Sequence, residues 1–132
     1  MARMKAARRI LIADDSATER LALVQILRHE GFEVIEACDG AQAIELSRSE
    51  RPDVILMDVV MPQTNGFEAT RTISRHPATK GIPIIIYSGK GEEVDRIWGL
   101  RQGARAYLVK PLTAKRLLAS IRNLVNNAES PA

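Results

Sequence analysis

At 132 residues, with 45% hydrophobic and 27% charged side chains, the chain has the size and composition of one ordinary domain around a single core. Its one cysteine, Cys38, excludes an internal disulfide and a multi-cysteine metal site, and we expect it in a turn or in packing. No segment approaches the roughly 18 uninterrupted apolar residues of a membrane span, and the N-terminus has no apolar signal region. We therefore expect a soluble, cytoplasmic protein that does not bind a membrane.

The formal net charge of +3 and the sequence pI near 9.4 reflect the N-terminus. Four basic residues precede the first apolar run, and without them the chain is close to neutral; they are Arg3, Lys5, Arg8 and Arg9. Such a segment can bind nucleic acid or anionic lipid. Because no aromatic residues are interleaved with these charges, we expect residues 1–8 to form a solvated, frayed tail.

Short apolar runs alternate with helical patterns along the whole chain. The first helical pattern is followed by Gly31, a common helix stop, and Thr113 caps the last one. The sequence predicts strands over 10–13, 32–37, 54–57, 82–87 and 106–109, and helices over 17–30, 41–49, 66–75, 92–102 and from 114 onward. Residues 126–132 should fray. We expect one domain over 9–127, with 128–132 as a C-terminal tail.

This alternation of five strands and five helices predicts an α/β fold. Right-handed crossovers should give a doubly wound (βα)5 unit, with a parallel five-stranded sheet covered on both faces. Periodicity does not fix the strand order. The flavodoxin-like order 2-1-3-4-5 is a common solution for such sheets.

Apolar spacing also indicates which helix residues face the core. The candidates are Leu21, Val24, Leu27 and their neighbours Leu23 and Ile26 in the first helix, and Phe67 and Ile73 in the third. Trp98 follows Val94 by four residues, so we expect it in the core or at its boundary. An indole at that place could instead anchor a binding partner.

Acidic residues stand where two predicted strands end. Asp14 and Asp15 follow the first strand, and Asp58 ends the apolar run of the third, within the stretch 53–62. The order 2-1-3-4-5 would make these ends neighbours. Three carboxylates in one pocket repel each other unless a cation neutralises them, and ligands that are all oxygen favour Mg²⁺. Taken singly, these residues could simply cap a helix or a turn.

Two further polar residues leave the neighbouring strands. Ser88 follows the fourth apolar run and Lys110 follows the fifth. An acidic trio, a hydroxyl and a lysine at successive strand ends form a site for a transferred phosphoryl group, in which an aspartate is the nucleophile and the metal and lysine neutralise the phosphoryl oxygens. Alone, Ser88 is uninformative, and Lys110 before Pro111 could be an ordinary lysine in an exposed turn.

In order and spacing, these residues resemble the response-regulator receiver domains of the CheY-like, flavodoxin-like type. The resemblance covers about 9 to 127, and its motifs are Asp14-Asp15, the D-x-x-M-P-x-x-N-G pattern from Asp58, Ser88, Tyr107 and Lys110-Pro111. It implies that Asp58 is phosphorylated by the phosphohistidine of a histidine kinase. It also implies a metal site for Mg²⁺ with Asp15 and Asp58 as ligands, Asp14 assisting through water, and Val60 included in the set.

The resemblance assigns roles to the remaining motif residues as well. Ser88 would bind the phosphoryl oxygen, Lys110 would pair with it, and the Lys110-Pro111 peptide would be cis. On phosphorylation, Ser88 would move toward the phosphate and Tyr107 would turn inward, which would reshape a partner-binding face made by helix four, strand five and helix five. Glycines at 89, 91 and 99 could loosen that region, or could serve ordinary turns.

Segments outside the site point to a subfamily. The stretches DDSATER, NGFEATR and WGLRQGARAYLVKP resemble the stand-alone regulators of type IV pilus chemosensory systems, the twitching-motility PilH type. The chain departs from the usual receiver pattern at Gly89, where alanine is common, and at Val60, where many relatives carry a polar group. Val60 and Lys90 would flank the path of water to an acyl phosphate, and we expect them to tune its lifetime.

Three classes of function remain open at this point. The first is a phospho-switched signalling module, a monomer that binds a chemotaxis-type kinase and a protein partner or acts as a phosphate sink. The second is a magnesium-dependent small-molecule phosphatase, which should need a substrate-enclosing insertion. The third is a flavodoxin-like cofactor binder, which should need a phosphate-cradling loop after strand one. No helix-turn-helix or basic recognition helix is evident, so we expect no direct DNA binding.

Overall fold

The fold was obtained as a computed structural model that describes residues 9–129, with side chains described through residue 125. The predicted N-terminal tail, residues 1–8, lies outside this range. The elements are β1 (Arg9–Ala13), α1 (Ala17–His29), β2 (Glu33–Ala37), α2 (Gly40–Glu50), β3 (Val54–Asp58), α3 (Gly66–Arg75), β4 (Ile84–Ser88), α4 (Glu93–Arg101), β5 (Ala106–Val109) and α5 (Ala114–Glu129).

The five strands form one parallel sheet in the order β2-β1-β3-β4-β5. This confirms the predicted doubly wound α/β fold and its strand order. β3 lies at the centre, with Leu11 of β1 opposite Ile55 and with Tyr87 of β4 opposite Asp58. The carboxyl ends of β1, β3, β4 and β5 therefore meet along one edge of the sheet.

The central strands are apolar throughout because both of their faces are covered. All five residues of β3 and all five of β4 are buried. On one face Ile10, Leu56 and Tyr87 pack with residues of α1 and α5, and on the other Ile55 and Met57 pack with residues of α2 and α3. Successive residues of a strand point to opposite faces, so both layers of core depend on these short runs.

Polar caps fix the points at which three helices leave the site edge. Ser16 accepts from the main-chain N–H of Glu19, and Asp39 accepts from that of Gln42. At the start of α3, Asn65 and Glu68 form a reciprocal capping box. Each cap satisfies an otherwise unpaired helix donor and ends the preceding loop at a defined residue.

Several predicted details were wrong. Leu21 of α1 is 55% exposed, although Val24 and Leu27 are buried as expected. β4 begins at Ile84 instead of residue 82, because the N–H of Ile82 closes a turn on the carbonyl of Thr79. α5 continues to Glu129, beyond the point where the sequence predicted fraying.

Trp98 also lies elsewhere than expected. Its residue is 51% exposed, so the core or boundary position was wrong. The residue of α4 that faces the sheet is its neighbour, Gly99, where an added Cβ would lie 2.9 Å from the Tyr107 ring and 3.2 Å from Ile86. Because adjacent residues project about 100° apart on a helix, this contact turns Trp98 toward solvent. None of the helices in the described residues has both the length and the apolar character needed to cross a membrane.

The start of α3 provides a test of how tightly the site edge is built. A Cβ at Gly66 would lie 2.0 Å from the main-chain oxygen of Asp58, whereas a Cβ at Gly81 would meet nothing within 4 Å. We expect Gly66→Ala to lower the free energy of unfolding by at least about 2 kcal/mol, because main-chain atoms must move to admit the methyl group. Urea denaturation of Gly66→Ala, with Gly81→Ala as the control, measures this change in stability. Equal stability of Gly66→Ala and Gly81→Ala would contradict the packing described.

Candidate functional site

Three carboxylates from two adjacent strands converge at one edge of the sheet. Oxygens of Asp14, Asp15 and Asp58 all lie within 4.8 Å of one another. Asp14 is fully buried and Asp58 is 4% exposed, while Asp15 faces solvent. The arrangement follows from the sheet, because Ala13 pairs with Met57, one residue before each of the two buried acids. The predicted acidic trio is therefore brought together.

Asp58 is held in an unfavourable environment for a charge. Burial, and then the charge of Asp14, raise the pKa of Asp58 from 3.8 to about 6, while Lys110 and the N–H of Val59 act in the opposite direction. Its Oδ1 accepts from the Val59 N–H at 2.9 Å and lies 3.2 Å from Lys110 Nζ. Both contacts go to the same oxygen. The carboxylate is thus oriented by one oxygen, and the other is available to an incoming group.

Asp14 is the most firmly fixed of the three acids. Its N–H donates to the carbonyl of Ala37 at 3.0 Å, and its own carbonyl accepts from Arg20 at 2.6 Å. In the side chain, Oδ1 accepts from the Ser16 N–H at 2.9 Å, and Oδ2 accepts from the Tyr87 hydroxyl at 2.7 Å. Each polar atom of Asp14 therefore has a partner within the fold.

Lys110, at the end of β5, brings a positive charge to the site. Its Nζ lies 3.2 Å from Asp58 Oδ1 and 2.5 Å from Glu19 Oε1. Burial by itself would lower the pKa of Lys110, but the Glu19 and Asp58 carboxylates outweigh burial and raise it. The ammonium group is therefore held charged beside Asp58. The Lys110-Pro111 peptide bond is cis.

Ser88 and Tyr107 lie on the opposite side of β4 from Tyr87. The Ser88 hydroxyl is fully buried and accepts from the Lys90 N–H at 3.0 Å. The Tyr107 hydroxyl donates to the Lys90 carbonyl at 2.7 Å, and its ring packs against Gly99. Both hydroxyls are thus hydrogen-bonded to the main chain of one residue, Lys90, in the loop between β4 and α4.

The acidic trio fits a hard divalent cation such as Mg²⁺. Its donors are carboxylate oxygens, and no histidine or cysteine takes part in the cluster. A bound cation would offset the burial and the Asp14 charge that raise the pKa of Asp58. Val60, two residues after Asp58, is 63% exposed and has an apolar side chain, so it can offer a cation only its carbonyl oxygen. An octahedral ion would retain waters among so few protein ligands.

The sequence reasoning missed three residues that hold this site. Tyr87 bonds Asp14, Glu19 pairs with Lys110, and Arg20 bonds the carbonyl of Asp14. The clearest available signal was Tyr87, the one hydroxyl-bearing ring in a strand of isoleucines. Glu19 and Arg20 read as ordinary helix-surface charges, and only the placement of α1 over the site edge gives them partners.

Comparisons with known proteins agree with this fold. The model of the response regulator receiver domain family matches residues 10–122, which is most of the chain. The chain belongs to this family. The family match confirms the resemblance that the sequence motifs predicted. Receiver domains are signalling modules.

Two curated relatives show different arrangements of this domain. Protein PilH of Pseudomonas aeruginosa is 49% identical over 113 residues, which cover 86% of this chain and 93% of PilH. This bears out the PilH-type similarity. The DNA-binding response regulator MtrA of Mycobacterium tuberculosis is 38% identical over 125 residues, which cover 94% of this chain and 54% of MtrA. The chain thus spans about half the length of MtrA.

Solved structures agree on the fold. The receiver domain of the sensor histidine kinase PA1611 from Pseudomonas aeruginosa matches this chain with a TM-score of 0.84 and 30% identity. The match covers 92% of this chain and 99% of the PA1611 domain. That structure has a magnesium ion coordinated in its active-site cleft. The chemotaxis protein CheY4 of Vibrio cholerae matches with a TM-score of 0.84 and 31% identity, and the match covers 89% of this chain and 98% of CheY4.

The raised pKa of Asp58 predicts a pH dependence in the absence of divalent cations. An acid whose pKa is higher in the folded state stabilises the fold at low pH, and this contribution is lost as the pH rises from about 3.8 to about 6. Asp58→Asn keeps a neutral side chain at every pH. Its free energy of unfolding relative to the parent should therefore increase by about 2 kcal/mol between pH 4 and pH 7.

Chemical denaturation in EDTA at several pH values measures this difference. Glu45→Gln, at an exposed position of α2, provides the control for replacing an acid by its amide. A difference between Asp58→Asn and the parent that is constant with pH, or that falls as the pH rises, would contradict the electrostatic description of the site.

Proposed function

We propose that this receiver is a stand-alone response regulator of a two-component phosphorelay, in which Asp58 accepts a phosphoryl group from a histidine kinase. The observation that carries the proposal is the environment of Asp58, a buried carboxylate with two acids on one side and the Lys110 ammonium at 3.2 Å on the other. The stand-alone form is supported by the similarity to PilH, of which this chain covers 93%. A cytoplasmic location is part of the proposal.

The chemical step is a phosphoryl transfer between two side chains. An oxygen of Asp58 attacks the phosphorus of a phosphohistidine, the P–N bond breaks, and its electron pair stays on the kinase imidazole. The product on Asp58 is an acyl phosphate. Lys110 balances charge on the phosphoryl oxygens, and Ser88 can donate a hydrogen bond to one of them once it leaves the Lys90 N–H.

The metal set in this proposal is Asp14, Asp15, Asp58 and Val60, with the carbonyl oxygen of Val60 as its ligand atom. A bound Mg²⁺ would neutralise the acids and draw charge from the phosphoryl oxygens. Asp15 and Asp58 suit direct ligation. Asp14 suits a contact through water, because both of its carboxylate oxygens already accept a hydrogen bond from the fold.

The proposed switch connects the phosphate to the face of α4, β5 and α5. Ser88 and Tyr107 both bond Lys90, so a movement of Ser88 toward the phosphate alters the loop that Tyr107 holds. The Tyr107 ring packs against Gly99 and the residue is partly buried, and in the proposed switch it turns further inward on phosphorylation. On the outer side of α4, Val94, Ile97 and Trp98 are 65%, 44% and 51% exposed. These apolar side chains are candidates for contact with a downstream protein.

The similarity to PilH supports a further, finer proposal. The kinase would be of the chemotaxis type, and the output would be control of type IV pilus twitching motility. Val60 and Lys90, both exposed beside the site, would tune the lifetime of the acyl phosphate by limiting the approach of water. The protein would act as a monomer and without direct DNA binding.

Phosphotransfer from an autophosphorylated chemotaxis-type kinase tests the proposal. We expect label on the parent with Mg²⁺, none in EDTA, and none on Asp58→Asn, because the amide is not a nucleophile for phosphorus. Asp39→Asn is the matched control, since Asp39 follows β2 at the same edge and asparagine caps α2 equally well. It should be labelled like the parent. Full labelling of Asp58→Asn, or no labelling of the folded parent by several such kinases, would contradict the proposal.

A further inference from the structure

Tyr87 places a hydroxyl inside the acidic trio, although it belongs to none of the strand-end motifs. The residue is 1% exposed, and its hydroxyl donates to Asp14 Oδ2 at 2.7 Å. Since β3 lies between β1 and β4 in the sheet, this bond passes over the strand that carries Asp58. A buried hydrogen bond to a carboxylate is among the stronger polar contacts in a protein.

The Tyr87 hydroxyl is one of two donors to the Asp14 side chain, and it bonds the Oδ2 atom. The other carboxylate oxygen of Asp14 accepts from the Ser16 N–H. Tyr87 and Ser16 together determine the orientation of this carboxylate, one from each side.

The ring of the same tyrosine contacts the opposite charge. Lys110 Nζ lies 5.1 Å from the centroid of the Tyr87 ring, a distance at which an ammonium is attracted to an aromatic face. That Nζ also lies 3.2 Å from Asp58 Oδ1. One side chain therefore touches the acid on one side of Asp58 and the lysine on the other.

We propose that Tyr87 is a positioning residue of the cation site, which fixes the Asp14 carboxylate through its hydroxyl and supports the Lys110 ammonium with its ring. The inference rests on the proposed function, because it takes the acidic trio to bind Mg²⁺. Such an ion tolerates little deviation from octahedral geometry. A carboxylate that has lost one of its two donors is less well placed to hold the ion or one of its waters.

Tyr87→Phe tests this inference, because it removes one oxygen and keeps the ring in the core. We expect the dissociation constant for Mg²⁺, measured by calorimetry on the unphosphorylated protein, to rise by up to about tenfold, the lower end of the range for losing a partner of a metal ligand, because Asp14 contacts the ion through water. The rate of phosphorylation by phosphoramidate, a small donor with a P–N bond, should fall at low Mg²⁺. It should return to the parental value at saturating Mg²⁺, because phenylalanine still supports Lys110.

Thr79→Val is the matched control. Thr79 is 1% exposed, and its hydroxyl donates to the carbonyl of Ile73 at 2.7 Å, away from the site. Both variants lose a buried hydrogen bond of the same length, and melting curves monitored by circular dichroism report the loss of stability in each. Only Tyr87→Phe should weaken Mg²⁺ binding.

The outcomes separate this inference from the function on which it rests. A parent that binds Mg²⁺, together with a Tyr87→Phe variant of unchanged or tighter affinity, would overturn the role of Tyr87 and leave the proposed function standing. An equal loss of affinity in Thr79→Val would also overturn it, because the effect would then be one of general stability. A folded parent that binds no Mg²⁺ would overturn both.

Discussion

The burial of two neighbouring carboxylates, Asp14 and Asp58, at one edge of the sheet is the constraint on which the rest of the site depends. Asp14 and Asp58 are buried next to each other, and burial together with the neighbouring charge raises the pKa of Asp58 to about 6. The fold tolerates this because Asp14 is bonded at every polar atom and Lys110 faces Asp58. A cluster built in this way favours a bound cation, which would offset the two buried negative charges.

The sheet makes this cluster possible by holding the acids on short, fully buried strands. The order 2-1-3-4-5 makes β1 and β3 neighbours, and their register places Asp14 and Asp58 side by side. At this edge Asp15 remains in contact with solvent, whereas the buried Asp14 and Asp58 depend on hydrogen-bond and charge partners within the fold. The same geometry places Ser88 and Lys110 at the ends of the next two strands, β4 and β5.

The sequence predicted the fold and most of the site because both depend on local signals. Buried parallel strands appear as short apolar runs, and the polar residue that ends each run marks the site edge, as at Asp58. Contacts between distant elements leave no such signal. The bonds of Tyr87 and Glu19 depend on how strands and helices are placed in space, and the exposure of Trp98 depends on Gly99 facing Tyr107. Glycine at that position thus makes room for a ring, a role that differs from the flexibility considered from the sequence.

The chemical identity of the phosphorylated residue is the most direct test of this account. Borohydride reduces an aspartyl phosphate to homoserine, so reduction of the labelled protein followed by peptide mass spectrometry locates the acyl phosphate. The account predicts homoserine at residue 58 and at no other position. Homoserine at residue 14 or 15, or a stable phosphate on a histidine or serine, would contradict the assignment of Asp58 as the acceptor.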